Sequence, residues 1–272
     1  MNTTKLDWNK LHPFAGHPYK VQDNEEMDVL MESIRMNGIL TPLIVRPLEN
    51  GEYEVISGHR RLYAARKAGL ETVPAIIMPM SRDEAAIAVV DSNLHREHLL
   101  PSEKAFAYKL KMEALHHQGV TSGQVGQKWS RDAISDADSG RQVQRYIRLT
   151  HLIPSILSLV DEGQIAFTPA VELSYLTQQE QQELAEEMAY ADATPSLSQA
   201  QRMRDISRQG RLTTDVIYAI MSEEKANQKE RLKIPMERIR RFFPQSYTTA
   251  QIEEAVVKLC ERDYRRRTDR DR

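Results

Sequence analysis

Residues 53–69 constrain this chain more than any other stretch. Tyr53, Val55 and Ile56 are strand formers, and Gly58 interrupts them. Residues 59–68 are good helix formers, and Gly69 stands where a glycine stops a helix. A strand therefore runs into a helix through a glycine. That helix opens with His59, Arg60 and Arg61, against the partial positive charge that a helix N-terminus already carries. An anion at the turn, held by free backbone N–H groups and arginine forks, removes the conflict. On charge alone, ordinary surface arginines fit equally well.

The flanking sequence predicts a small α/β domain. Met27, Leu30, Met31 and Ile34 recur at i, i+3, i+4 and i+7, which predicts a helix capped by Asp23 or Asn24 and ended by Gly38. Residues 39–46 read as a buried strand and 49–52 as a hairpin turn; strands follow at 53–57 and 73–78. A helix beginning near Ser81 runs over 82–94. Residues 8–18, with two aromatics, two prolines, His12 and His17, read as a packed lead-in loop.

Beyond Pro101 the pattern is helical. Residues 104–117 place Phe106, Leu110 and Ala114 on one stripe, 121–129 form a short helix facing inward at Val125 and Trp129, and 130–138 are a polar loop. Residues 139–149 then set Arg141, Arg145 and Arg148 on one face with Gln144 beside them. Val143, Tyr146 and Ile147 fall on the other face, and no acid interrupts the run. A recognition helix needs such a packed back and such a front of arginines and amides. A solvated bundle helix is the alternative, and the helix at 121–129 favours the helix-turn-helix. The connection between the two helices is some eight residues longer than the usual three or four. Further helices are expected over 153–160, 168–176 and 199–208, and 160–201 holds no lysine or arginine. That stretch therefore cannot lie on a phosphate backbone. Residues 221–231 read as charged and helical. Pro235 and Pro244 break the chain, and Thr249 can cap a last helix with a stripe of Ile252, Ala255, Val256 and Leu259.

Three boxes in order carry a family resemblance. Gly-His-Arg-Arg at 58–61 is similar to the Gly-Glu-Arg-Arg box of ParB-type partition proteins. Asn-Gly-Ile-Leu-Thr-Pro-Leu-Ile-Val-Arg-Pro at 37–47 and Asp-Ser-Asn-Leu-His-Arg-Glu-His-Leu-Leu-Pro-Ser-Glu-Lys-Ala at 91–105 resemble its neighbouring boxes. The likeness covers roughly residues 10–175. It implies a ParB/sulfiredoxin-like nucleotide-binding domain over 1–100 and an all-α helix-turn-helix domain over 101–195. A small, mainly helical C-terminal region follows over 196–272, a dimerisation module by that likeness.

The resemblance implies CTP and Mg²⁺ as ligands, with Gly58, His59, Arg60 and Arg61 on the phosphates and Asn93 toward the metal. It assigns Arg141, Gln144, Arg145 and Arg148 to DNA. Two positions depart from the family: His59 stands in place of Glu, and Ser92 stands where Glu precedes the Asn. Loss of a carboxylate beside Mg²⁺ removes a hard oxygen ligand, so binding with slow or absent hydrolysis is expected, and no catalytic residue is assigned. Double-stranded DNA, a second copy of the chain and a partner ATPase are the implied partners. The implied setting is the cytoplasm, on the nucleoid, in segregation of a plasmid, chromosome or mobile element.

Composition bounds the alternatives. The 272 residues hold 28% charged and 40% hydrophobic side chains at a net charge of −2, so any nucleic-acid argument rests on local charge. No apolar run approaches a membrane span, and no secretory leader is read at the N-terminus. The single cysteine, Cys260, suits a reducing compartment and argues against sulfiredoxin chemistry, which needs a cysteine in the phosphate loop. His95, Glu97 and His98 make a poor metal cluster and read as surface residues. A helix-turn-helix transcription regulator without nucleotide dependence is the competing function.

Overall fold

Strand and helix formers alternate along the first hundred residues and build three layers, with helices on both faces of a sheet. The computed structural model describes residues 2–21, 23–94, 96, 99–117, 138–223, 236–244 and 246–268. The expected helix at 121–129, most of the loop after it and the stretch 224–235 lie outside the described residues, as do His95, Glu97 and His98. The chain divides into two compact units, Met1–Glu223 and Glu224–Arg272.

The sheet has the order β1-β5-β3-β4-β2, from β1 (Thr4–Asp7), β2 (Leu11–Pro13), β3 (Leu43–Pro47), β4 (Tyr53–Ser57) and β5 (Thr72–Ile77). β1 runs antiparallel to β5 and β3 antiparallel to β4, whereas β3–β5 and β2–β4 are parallel. The segment expected as a loop thus supplies one edge strand, β2, and the residues just before it supply the other, β1. Three or four residues broken by Trp8 and Pro13 are too short to show a period of two.

The alternation of a strand sends its side chains to opposite faces. Leu43, Val45, Val55, Val73 and Ala75 pack with Leu62 and Ala65 of α2 (His59–Lys67). Ile44 and Ile56 point the other way, toward Ala85, Val89 and Val90 of α3 (Arg82–Asp91) and Ala107 of α4 (Pro101–His117). Helix α1 (Glu25–Asn37) lays Met27 and Ile34 on Ala64 of α2. Asn24 caps it by accepting the Met27 N–H, and Gly38 ends it. Strand β3 begins at Leu43 rather than residue 39. In α4 the buried stripe is Ala105, Tyr108 and Ala114, and Phe106 faces solvent.

Helix α4 passes from the sheet domain into the helical one. Its Glu103 accepts the Lys20 and Leu100 N–H groups, and its Ser102 donates to Asp161. Beyond it lie α5 (Gly140–Arg148), a 3-10 turn (Leu149–His151), α6 (Pro154–Asp161), α7 (Phe167–Leu173), α8 (Gln178–Ala191), α9 (Leu197–Ser207) and α10 (Thr214–Met221). One core joins Leu149, Ile156, Leu173, Leu184, Met203 and Ile217, so the helical packing continues past Pro195. In the second unit, α11 (Met236–Arg240) precedes α12 (Thr249–Thr268). Thr248, one residue before the expected cap, exchanges hydrogen bonds with Gln251 there. No helix among the described residues is long and apolar enough to cross a membrane.

Candidate anion cavity and arginine-faced helix

Strand β4 ends at Ser57, and Gly58 turns the chain with φ 104° into the first turn of α2. A side chain here would be doubly opposed. The φ is left-handed, and a Cβ would sit 3.0 Å from Leu43 Cγ and 3.2 Å from Arg61 Nη2. Glycine also supplies no side-chain oxygen to the opening amides of α2, so those donors face a cavity of about 630 Å³.

Arg60, Arg61, Lys20 and Arg96 line that cavity with Asn93 and His17. Arg60 reaches across to Glu26 of α1 (Nη2–Oε2 3.1 Å). Arg61 donates to the carbonyls of Thr41 and Pro42, the latter at 2.9 Å, and burial lowers its pKa from the ordinary arginine value. Lys20 stands 3.6 Å from Asp161 but remains 65% exposed. The Arg96 guanidinium lies over the Tyr19 ring, 5.8 Å from its centroid. Among the described lining residues Glu26 is the one carboxylate, and Arg60 already engages it. Four cations, one acid and a free helix N-terminus make a site for a polyanion.

The two histidines are not phosphate ligands of the same kind. His59 Nε2 accepts the Phe14 N–H at 3.4 Å, and the ring also bonds the Val55 backbone. Burial first, then the neighbouring His17 and Arg96, pushes its pKa down to about 3. A neutral ring with both nitrogens occupied offers a phosphate nothing; His59 contributes its backbone. His17 stacks on it with centroids 3.7 Å apart and bonds the Tyr19 carbonyl through Nδ1 at 2.8 Å.

Asn93 is buried, and its Nδ2 donates to Val89 O (2.8 Å) and Ser92 Oγ (3.1 Å). The atom left for the cavity is Oδ1, a hard acceptor. Among the described residues no group of three or more His, Cys, Asp or Glu could hold a metal. A divalent cation here would take Oδ1 from the protein, with phosphates and water completing its octahedron. Sequence reasoning missed Lys20, Arg96 and His17. Arg96 carried the one readable signal, a cation three residues after Asn93.

Ser139 caps α5, and Val143 and Ile147 seat it against Tyr108 of α4. Of the four side chains expected at DNA, Arg141 is exposed and the other three are half-buried. Gln144 rests on Met112 Sδ (3.6 Å). Arg145 donates to Thr168 Oγ1 (3.0 Å) and lies 4.9 Å over Phe167. Arg148 donates to Ser174 O (2.7 Å) and lies 4.1 Å over Tyr175. The arginine face is therefore real but is seated along α7, with only its N-terminal end projecting freely.

Fold and cavity together describe a sheet domain with a cation-lined cavity, joined through α4 to a helical domain that carries an arginine-faced helix. The family model for the ParB N-terminal domain matches residues 1–94, and the chain is similar to nucleoid occlusion and chromosome-partitioning proteins over a longer stretch. It is 33% identical over 178 residues to a nucleoid occlusion protein of Listeria innocua, a match covering 65% of this chain and 59% of that one. It is 35% identical over 156 residues to the stage 0 sporulation protein J of Bacillus subtilis, covering 57% and 51%. The matched part thus spans between half and three-fifths of these relatives. A C-terminally truncated ParB of Caulobacter crescentus, complexed to the centromeric parS site, is similar at 21% identity and a TM-score of 0.43, over 76% of this chain and 99% of that one.

Proposed function

We propose that this protein is a DNA-binding partition protein whose sheet domain binds CTP with Mg²⁺. The observation that carries the reading is the Gly58 turn, where free helix amides meet Arg60, Arg61, Lys20 and Arg96 in one cavity. The backbone at Gly58 and His59 and the two α2 arginines hold the phosphates, and Asn93 Oδ1 touches the metal. In this reading residues 1–100 take the nucleotide and 101–195 take double-stranded DNA through Arg141, Gln144, Arg145 and Arg148. Residues 196–272 pair two copies of the chain. A partner ATPase moves the complex on the nucleoid, in the cytoplasm, to segregate a plasmid, chromosome or mobile element. Ser92 brings no carboxylate to the metal, so turnover is slow or absent.

The test is thermal unfolding of the full chain with Mg²⁺ and CTP, ATP or no nucleotide. A ligand that binds only the folded state adds about 2.7 kcal/mol at a hundredfold excess over Kd, and each kcal/mol raises Tm by about 2 to 4 °C at this size. CTP should raise Tm, and Arg60→Ala should remove the increase while the free protein melts as wild type does. A flat response to every nucleotide would favour the nucleotide-independent transcription regulator.

A further inference from the structure

The arginine face of α5 does not end at Arg148. The Tyr175 ring stands between Arg148, at 4.1 Å, and Arg208 at the end of α9, at 5.8 Å from its centroid. The ring is 44% exposed, Arg208 is exposed and Arg148 half-buried. The carboxylates that might neutralise them are engaged elsewhere. Arg204, one turn before Arg208, pairs with both Glu172 and Asp205. Among the described residues neither Arg148 nor Arg208 has a salt bridge. Arg148 has one carbonyl and one ring face, and its Nε is buried without an acceptor. Burial, then the charges of Arg148 and Lys109, hold the His151 imidazole below its ordinary pKa.

Two guanidinium groups from separate helix ends thus meet at one ring, neither with a carboxylate partner among the described residues, in a chain whose net charge is negative. The Tyr175 ring holds both guanidinium groups within cation–π range, which limits the side-chain entropy lost on binding. The row continues that of Arg141 and Arg145, along which successive arginines rise by about 5 Å. A duplex backbone, with a phosphate every ~3.4 Å per strand, is the polyanion that such a row can follow.

We propose that Arg148 and Arg208 form a phosphate-contacting track that extends the DNA surface beyond α5 to the far end of α9. The inference rests on the DNA-binding reading above. The track carries no sequence information; it fixes orientation on the duplex.

The probe is a fluorescein-labelled duplex of random sequence, titrated with the full chain by anisotropy over about 50 to 200 mM salt. For Arg148→Gln/Arg208→Gln, affinity should fall and the slope of log K against log salt should shrink by about 0.9 per lost contact, hence about 1.8 in all. Arg208→Glu, at an exposed position, should weaken binding further at low salt. Arg202→Ala is the control: the residue lies on the same helix but is paired with Glu223, so its slope should match wild type. A double variant that melts as wild type does and keeps its slope and affinity would overturn the track while leaving DNA binding intact. If the double variant does not fold, an unchanged slope in Arg208→Gln alone overturns Arg208's part. Wild type that does not bind the duplex at any salt overturns the DNA-binding reading and the track with it.

Discussion

Lowering the pH from about 7.5 to about 5 asks the unfolded chain, but not the folded one, to protonate His59. In the fold its pKa is pushed down to about 3 by burial, then by His17 and Arg96, from an ordinary 6.5. The groups facing it are His17 from the lead-in segment, Arg96 beyond α3, and the Phe14 and Val55 backbone. A folded pKa below the unfolded one means stability is fully present above the unfolded value and lost as pH falls from 6.5 toward 3. Since pH 5 lies well above the folded value, the loss there is set by the unfolded pKa and comes to about 2 kcal/mol. Urea unfolding at a series of pH values measures it, with His59→Gln as reference: glutamine keeps an acceptor and a donor but does not titrate. Other groups cancel in the difference between the two proteins, and that difference should move by about 2 kcal/mol against wild type on acidification. A difference that stays constant over this range would refute the argument, because His59 would then titrate alike in both states.

Gly58→Ala should lower the urea midpoint by the equivalent of about 1 to 3 kcal/mol, since it adds a left-handed alanine and a clash with Leu43. Gly51→Ala, at φ 79° but in open space, should cost less in the same assay. Arg141→Ala should weaken binding to a duplex selected from a random pool by about 1–3 kcal/mol if it reads a base, with Tm unchanged. Arg145→Ala should weaken binding and also lower stability by about 1 kcal/mol, because it forfeits the Thr168 bond and the Phe167 stack; paired melting and anisotropy separate the two.

The Gly58 turn was legible in the sequence because the conflict is local: a glycine and three basic residues at a helix start need nothing distant to be noticed. The caps at Asn24 and Ser81 and the strand at Tyr53–Ser57 were legible for the same reason. Lys20 and Arg96 were not, because the chain brings them to the cavity only through packing of α3 and α4. His59 could be read as a cation by type, yet its neutrality follows from Phe14, Val55 and His17, which adjoin it only in the fold. The periodicity that put Arg145 and Arg148 on one face was sound. Periodicity does not reveal that Thr168 and Ser174 wait opposite them. Short edge strands escaped for a different reason: a period of two needs more residues than Thr4–Asp7 provides.

Helix α2 is a rod with an attachment at each end. Its first turn floors the anion cavity. From its last turn, Arg66 donates to the Trp8 and Leu11 carbonyls and lies 4.9 Å over the Trp8 ring. The rod is about 13 Å long, too short and too well packed on the sheet to flex between those points. A deletion or fusion that unseats Trp8 therefore acts on the ligand-binding turn by leverage, although Trp8 is not among the residues lining the cavity.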